Sequence, residues 1–282
     1  MTALDHPLIT LTTDFGSADG FPASMKGVIL GINPGAAIVD VTHEAPPQDI
    51  AHASFVLGAV APYFPRGTVH VAVVDPGVGT ERAALALRAP DGSLYVGPDN
   101  GVFSHVMASG GTLEAASHER PFLEPSAAAV PAGWHAHAIE NPEYVRSPVS
   151  ATFHGRDVFA PAAAHLSLGV PVEALGQELD RVVCLNLPGP RRTASGIAGH
   201  VQHIDRFGNL ATDISVADSA GEVREVRVRG RRIRGMSGSY RAVGGLGCVA
   251  ASHGYLEIAL YGGSAAETLG AAVGDEVTAR LE

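Results

Sequence analysis

Five groups of polar residues stand on glycine-rich stretches of this chain: Asp14 with Asp19, Asp75 with Arg82, Asp99 with Asn100, His154 with Arg156 and Asp157, and Asp205 with Asn209. Charged groups beside glycines are site candidates, because a missing side chain lets a ligand approach the backbone. Taken singly, each of these residues reads first as one that caps a turn. Their chemistry is open on residue type alone.

Several chemistries are excluded. Lys26 is the single lysine, and its setting, SMKGV, suits neither a Walker loop nor an imine-forming lysine for pyridoxal phosphate. GMSGS, Gly235 to Ser239, lacks the second glycine of a serine-hydrolase elbow. PGVGTER follows a strand as a dinucleotide-binding turn would, but Arg82 stands where the third glycine belongs. The 13 histidines include His135-x-His137 and His200-x-x-His203, and neither pair belongs to a zinc pattern, so no metal is expected. Cys184 and Cys248 are too few for a disulfide framework and read as buried small hydrophobes. A net charge of -10 disfavours a nucleic-acid partner and suits a cationic ligand. The arginine-rich run from Arg224 to Arg234 alternates as Arg227, Val228, Arg229, one exposed strand face.

The elements that must carry these groups follow from periodicity. PLITLTTDFG, AAIVDVTHE and GTVHVAVVDPGVG read as strands, with helical spacing in SMKGVILGINPG and in DIAHASFVLGAVAPYF. Their alternation predicts an N-terminal α/β domain, sandwich-like, with a largely parallel sheet. Such sheets bind ligands at the carboxyl ends of their strands. TTDFG, VVDPGVG and VGPDNG each deliver an Asp there. From about Glu114 to Val149 periodicity is poor, and the segment holding Trp134 reads as a mobile surface loop. LNLPGPRRTASG has linker composition, and short β segments follow it: IAGHVQHID, EVREVRVRG, RRIRG, GYLEIALYG and DEVTARLE. The expected organisation is an α/β domain over 1–187, a linker over 188–196 and a small β-barrel over 197–282. No spanning apolar run and no leader pattern at MTALDHPLITL are seen, so a cytoplasmic protein without membrane contact is expected.

Seven motifs, in order across nearly the whole chain, carry a family resemblance: TTDFG at Asp14, VTHEAPPQDI, VVDPGVGT, GPDNG, FHGRDVFAP, IDRFGNLATDI and GYLEIA. The chain resembles the S-adenosyl-L-methionine hydroxide adenosyltransferases, relatives of the fluorinase and chlorinase. That resemblance implies an α/β domain joined to a β-barrel, and a homotrimer whose sites lie between subunits. It also implies a cofactor-free reaction in which water attacks the ribose C5′ of S-adenosyl-L-methionine, giving adenosine and L-methionine.

The family's Asp-Arg-His set corresponds to Asp75, Arg82 and His154. Arg82 would make the water more acidic, Asp75 would take its proton or orient it, and His154 would complete its hydrogen bonding. For the substrate, the resemblance implies that Asp14 grips the ribose diol and that Asp19 and Asp205 meet the methionine ammonium. Phe207 and Asn209 would hold the adenine, Phe153 counts among the substrate contacts, and Ser252 lies where the methionine carboxylate binds. Three departures stand out. His253 replaces an arginine of the fluorinase, Gln48 replaces an adenine-packing tryptophan of halide-using relatives, and the stretch His118 to His137 is longer than usual. That stretch reads as a surface insertion, with a lid as the alternative. Two other functions remain open: halide transfer, which a carboxylate at Asp75 disfavours, and binding of adenosine or its sulfonium without turnover.

Overall fold

The first unit is built outward from strands whose alternate residues feed two separate cores. The computed structural model describes residues 7–108, 113, 116–219 and 223–281. The chain divides after Leu187, a second unit starting at Pro188. Glu114 and residues 1–6, the start of MTALDHPLITL, lie outside the described residues.

In the first unit the strands are β1 (Leu8–Thr13), β2 (Ala37–Thr42), β3 (Val69–Val73), β4 (Ala84–Arg88), β5 (Leu94–Pro98), β6 (Pro125–Ala129), β7 (His135–Ala138) and β8 (Arg181–Leu185). The helices are α1 (Phe21–Ile32), α2 (Ile50–Val60), α3 (Ser104–Ala108) and α4 (Ala160–Ser167). Six strands form one sheet in the order β2-β1-β3-β5-β4-β7. The first four are parallel, β4 runs antiparallel to β5, and β7 runs antiparallel to β4. The sheet is therefore mixed, parallel only on the side that carries β1 and β3. β3 is buried at every residue, as a strand covered on both faces must be. Its Val69, Val71 and Val73 join the core under α1 and α4. Ala72 and the following Val74 join the other core, under α2 and α3. Ala160, Ala162, Ala163 and Ala164 are wholly buried, and such small side chains let α4 lie close to the sheet.

One expectation is corrected here. The segment around Trp134 is no mobile loop: β7 pairs with β4, β6 pairs with β8, and Trp134 packs beside Tyr95, ring centroids 5.6 Å apart. Tertiary contact outweighs the weak strand propensity of Pro, Ala and His here.

The second unit is an eight-stranded antiparallel, barrel-like sheet. Its strands are β9 (Arg191–Thr193), β10 (Gly196–Ile204), β11 (Leu210–Ser215), β12 (Val223–Val228), β13 (Arg231–Arg234), β14 (Leu246–Ala250), β15 (Tyr255–Leu260) and β16 (Glu276–Leu281). They run β13-β12-β16-β10-β11-β15-β14, with β9 beside β10. A bridge from Ser237 to Val249 brings the two ends of that order together. The stretch 188–196 thus contains a short strand. Arg224 and Arg227 are exposed while Val223, Val226 and Val228 are buried, so the basic run is the outer face of a hairpin. Among the described residues no helix is long and apolar enough to cross a membrane.

Candidate active site

Val74 ends the run of buried residues that begins in β3, and Asp75 opens a tight turn, its carbonyl accepting the Val78 N–H at 3.2 Å. Arg82 folds back across that turn. Its Nε donates to Asp75 Oδ1 at 2.9 Å, its Nη2 donates to Oδ2, and its Nη1 donates to the Ala83 carbonyl at 3.0 Å. A planar guanidinium matches a carboxylate in this two-pronged way, which fixes both side chains. Nη2 also lies 3.0 Å from His154 Nδ1. A guanidinium only donates, so Nδ1 is the acceptor and the imidazole proton sits on Nε2. Burial pushes the His154 pKa down, the Arg82 charge pushes the same way, and Asp75 and Asp157 oppose them. His154 is accordingly neutral at pH 7.

The turn after Asp75 needs glycine at Gly79, where φ is +76° and a Cβ would strike the Ala151 carbonyl oxygen. That approach seats the turn against the loop that delivers His154. The helix there opens with a widened π turn, Gly155–Phe159, before α4, and such turns recur at functional sites. Gly155 is closely packed: a Cβ would meet the side chains of Met25, Phe153 and Phe15 at 3.2 to 3.3 Å, so they would have to shift.

Asp75 and His154 line a pocket of about 420 Å³ together with Asp14 and Phe153. Its apolar wall is Phe15, Phe21, Phe153, Val73, Pro76 and Val78. The three phenyl rings stand 5.1 to 5.7 Å apart. Pro47 and Gln48 close another side. Gln48 has φ +66°, uncommon for a residue with a side chain, and its N–H donates to Asp14 Oδ2 at 2.8 Å. His43 braces the same loop. Its Nδ1 lies 2.8 Å from Thr13 Oγ1, and its carbonyl accepts the Gly16 N–H at 2.7 Å.

Not every residue singled out from the sequence lines this pocket. Arg82 stands behind Asp75 and His154 rather than in the wall, and Asp19 is exposed and outside the lining. Asp99 braces β8: its Oδ1 accepts the Val183 N–H at 2.7 Å. Asn100 donates to the Val74 carbonyl at 2.8 Å. His137 is buried while His135 is exposed, and among the described residues no group of three His, Cys, Asp or Glu could hold a metal. Of the aromatic wall, Phe153 is expected from the sequence and lines the pocket, whereas Phe15 and Phe21 are not. Phe15 directly follows Asp14, but nothing local says that Phe21 and Phe153 meet it.

In the second unit Asp205 organises its own turn. Its Oδ1 accepts from the Phe207 and Asn209 N–H groups at 2.9 and 2.8 Å, and its Oδ2 from Asn209 Nδ2 at 2.9 Å. Asn209 is buried, whereas Phe207 is 75% exposed. Ser252 is exposed in the turn between β14 and β15. Beside it, His253 Nε2 lies 3.3 Å from Glu257 Oε2, and Glu257 also accepts from the Tyr240 hydroxyl at 2.7 Å.

Residues 9–176 match the family described as SAM hydroxide adenosyltransferase N-terminal domain, and residues 199–278 match its C-terminal domain. The chain is 43% identical over 260 residues to a protein of Thermus thermophilus named (R)-S-adenosyl-L-methionine hydrolase, covering 92% of this chain and 93% of the relative. A protein of the same name from Salinispora tropica is 39% identical over 274 residues, 96% of this chain and 97% of the relative. A fluorinase from an Actinoplanes species is more distant, 28% identical over 77% of this chain and 75% of its own length. A solved structure described as an uncharacterized conserved protein from Thermotoga maritima has a TM-score of 0.82 at 33% identity, covering 96% of this chain and 99% of that one.

Proposed function

Since the chain belongs to the SAM hydroxide adenosyltransferase family, we propose that it hydrolyses S-adenosyl-L-methionine to adenosine and L-methionine. Water attacks the ribose C5′ in line with the C5′–S bond. The electrons of that bond stay on sulfur, which leaves as a neutral thioether, so the step needs neither a general acid nor a cofactor. One water proton must be taken up as the new C–O bond forms. The observation that carries the reading is the wall shared by Asp75 and His154 with Arg82 directly behind both.

In this reading Asp75 accepts the proton. The His154 Nε2–H donates to the water oxygen and holds it in line, and the Arg82 charge stabilises the developing hydroxide through the pair. The aromatic wall keeps bulk water away, which strengthens those interactions. Asp14 grips the ribose diol, with the Gln48 N–H fixing one of its oxygens. For the rest of the substrate the reading draws on the family resemblance: Phe207 and Asn209 for adenine, Ser252 for the methionine carboxylate, Asp19 and Asp205 for its ammonium. We further propose a cytoplasmic homotrimer with sites at subunit interfaces.

Incubating the purified protein with S-adenosyl-L-methionine and separating the products tests the reading. Adenosine and methionine should appear together, and an Asp75→Ala variant should not form them. A 5′-halogenated adenosine as main product in halide buffer would overturn it. The Asp75 carboxylate disfavours that outcome, since it repels an anion in the same wall.

A further inference from the structure

His154 hangs on one buried carboxylate that no step above uses. Asp157 is wholly buried, three residues along the π turn from His154. Its Oδ1 and Oδ2 take Arg156 Nε and Nη2 at 2.7 and 2.8 Å. Oδ2 also accepts the Ser150 N–H at 3.0 Å, and Arg146 Nε lies 3.8 Å from Oδ1. Its main chain takes part as well: the Asp157 carbonyl accepts the Arg146 N–H at 2.8 Å, and its own N–H donates to the Phe153 carbonyl at 3.2 Å. Both ends of the segment 146–153 are thereby tied to a single residue. Between the ties the chain makes the turn that presents Thr152 and Phe153 to the pocket and meets Gly79. Arg156 extends the hold, its Cζ 5.1 Å from the Phe153 ring centroid.

A buried carboxylate persists only when its charge is answered, and here Arg156 and Arg146 answer it. The charged groups around His154 are few. Arg82 touches it, Asp75 sits on the same guanidinium, and Asp157 lies on its own turn. On α1, packed against the π turn, Lys26 is held by Asp40 at 2.6 Å. At the end of β5, Asp99 acts on Arg82. On α4, His165 meets the Tyr144 ring.

From this geometry we propose that Asp157 is a positioning residue for His154, fixing the turn that presents the imidazole and supplying the negative charge that offsets Arg82. The proposal rests on the hydrolase reading for its kinetic consequence. Its electrostatic consequence can be measured without turnover.

The test follows the His154 ring by NMR titration in the full-length protein, alongside kcat against pH, for Asp157→Asn and Arg156→Gln. Asp157→Asn should move the His154 midpoint and the acid limb of kcat downward in pH, and should lower kcat roughly ten- to a hundredfold, since a small misplacement of a reacting group has that effect. Arg156→Gln leaves the carboxylate less neutralised and should move the midpoint the other way. Should Asp157→Asn fail to fold, the sign of the Arg156→Gln shift decides alone. A His154 midpoint unmoved in the folded variants, or moved in the same direction by both, overturns the proposal and leaves Asp157 a structural residue. If the unmodified protein releases no adenosine, the hydrolase reading fails while the titration still decides the role of Asp157.

Discussion

Arg82 Nη2 lies 3.0 Å from His154 Nδ1, and the contact requires a neutral imidazole. Protonation would set a second donor against the guanidinium and break it. Burial and Arg82 lower the His154 pKa from its ordinary 6.5, so His154 stays neutral through pH 7 and charges only below that value. kcat should therefore hold across neutral pH and fall on acidification through a midpoint below 6.5. A pH profile of kcat checks this, and an acid limb at or above 6.5 would contradict the contact.

Asp14 and Arg82 should differ in which constant they control. Asp14 lines the pocket, held by Gln48, and its proposed contact is with the ribose diol, which does not change during the reaction, so that contact persists from ground to transition state. Asp14→Asn should raise KM roughly ten- to a hundredfold with a smaller change in kcat, the range for losing a charged hydrogen bond. Arg82→Ala should lower kcat by about a hundredfold or more, the usual effect of removing one preorganised charge contact. Steady-state kinetics with the two phenotypes exchanged would put the water on the wrong side of the pocket.

Phe207 offers a test that separates function from folding. The ring is 75% exposed, so Phe207→Ala should change stability by less than about 0.5 kcal/mol. If the ring carries adenine, KM should rise about tenfold, at the low end of what stacking on a base is worth. Thermal melts and KM measured together decide it, and an unchanged KM removes Phe207 from the site.

His70 predicts an acid-sensitive core. It is 1% exposed, lies 2.8 Å from Thr10 Oγ1 through Nδ1, and stacks on Tyr95 with ring centroids 5.0 Å apart. Burial pushes its pKa down to about 4 from 6.5. Between those values the unfolded chain binds the proton more readily than the folded one. His70 thus favours folding above pH 6.5 and loses about 3 kcal/mol of that contribution as pH falls to 4. Denaturant unfolding of His70→Gln should show the variant less stable at pH 7, with the gap closing or reversing by pH 4. A gap that stays constant with pH would contradict the buried neutral form.

Much of this arrangement was legible because strand ends are. Val69, Val71 and Val73 line one core, Ala72 and Val74 the other, and the apolar run stops at Asp75, so that residue had to emerge at the carboxyl edge of the sheet. The shared motifs then linked Asp75 to Arg82 and His154. What escaped depends on partners far along the chain. Ala136 is wholly buried only because β4 lies beside it, and nothing in HAHA announces a strand. Asp99 looks like Asp75 locally, yet its carboxylate is taken by the Val183 N–H, 84 residues on. The phenyl wall needs three segments together, and the π turn after His154 has no simple composition to betray it.

If water placed by Asp75 and His154 attacks C5′ directly, its oxygen must end on the nucleoside. Turnover of S-adenosyl-L-methionine in water enriched in oxygen-18, with mass analysis of the nucleoside, measures that most directly. One heavy oxygen should appear on the 5′ carbon of adenosine, in step with methionine, and no labelled adenosine should form with Asp75→Ala. Adenosine without the label, or a 5′-halogenated nucleoside in its place, would contradict it.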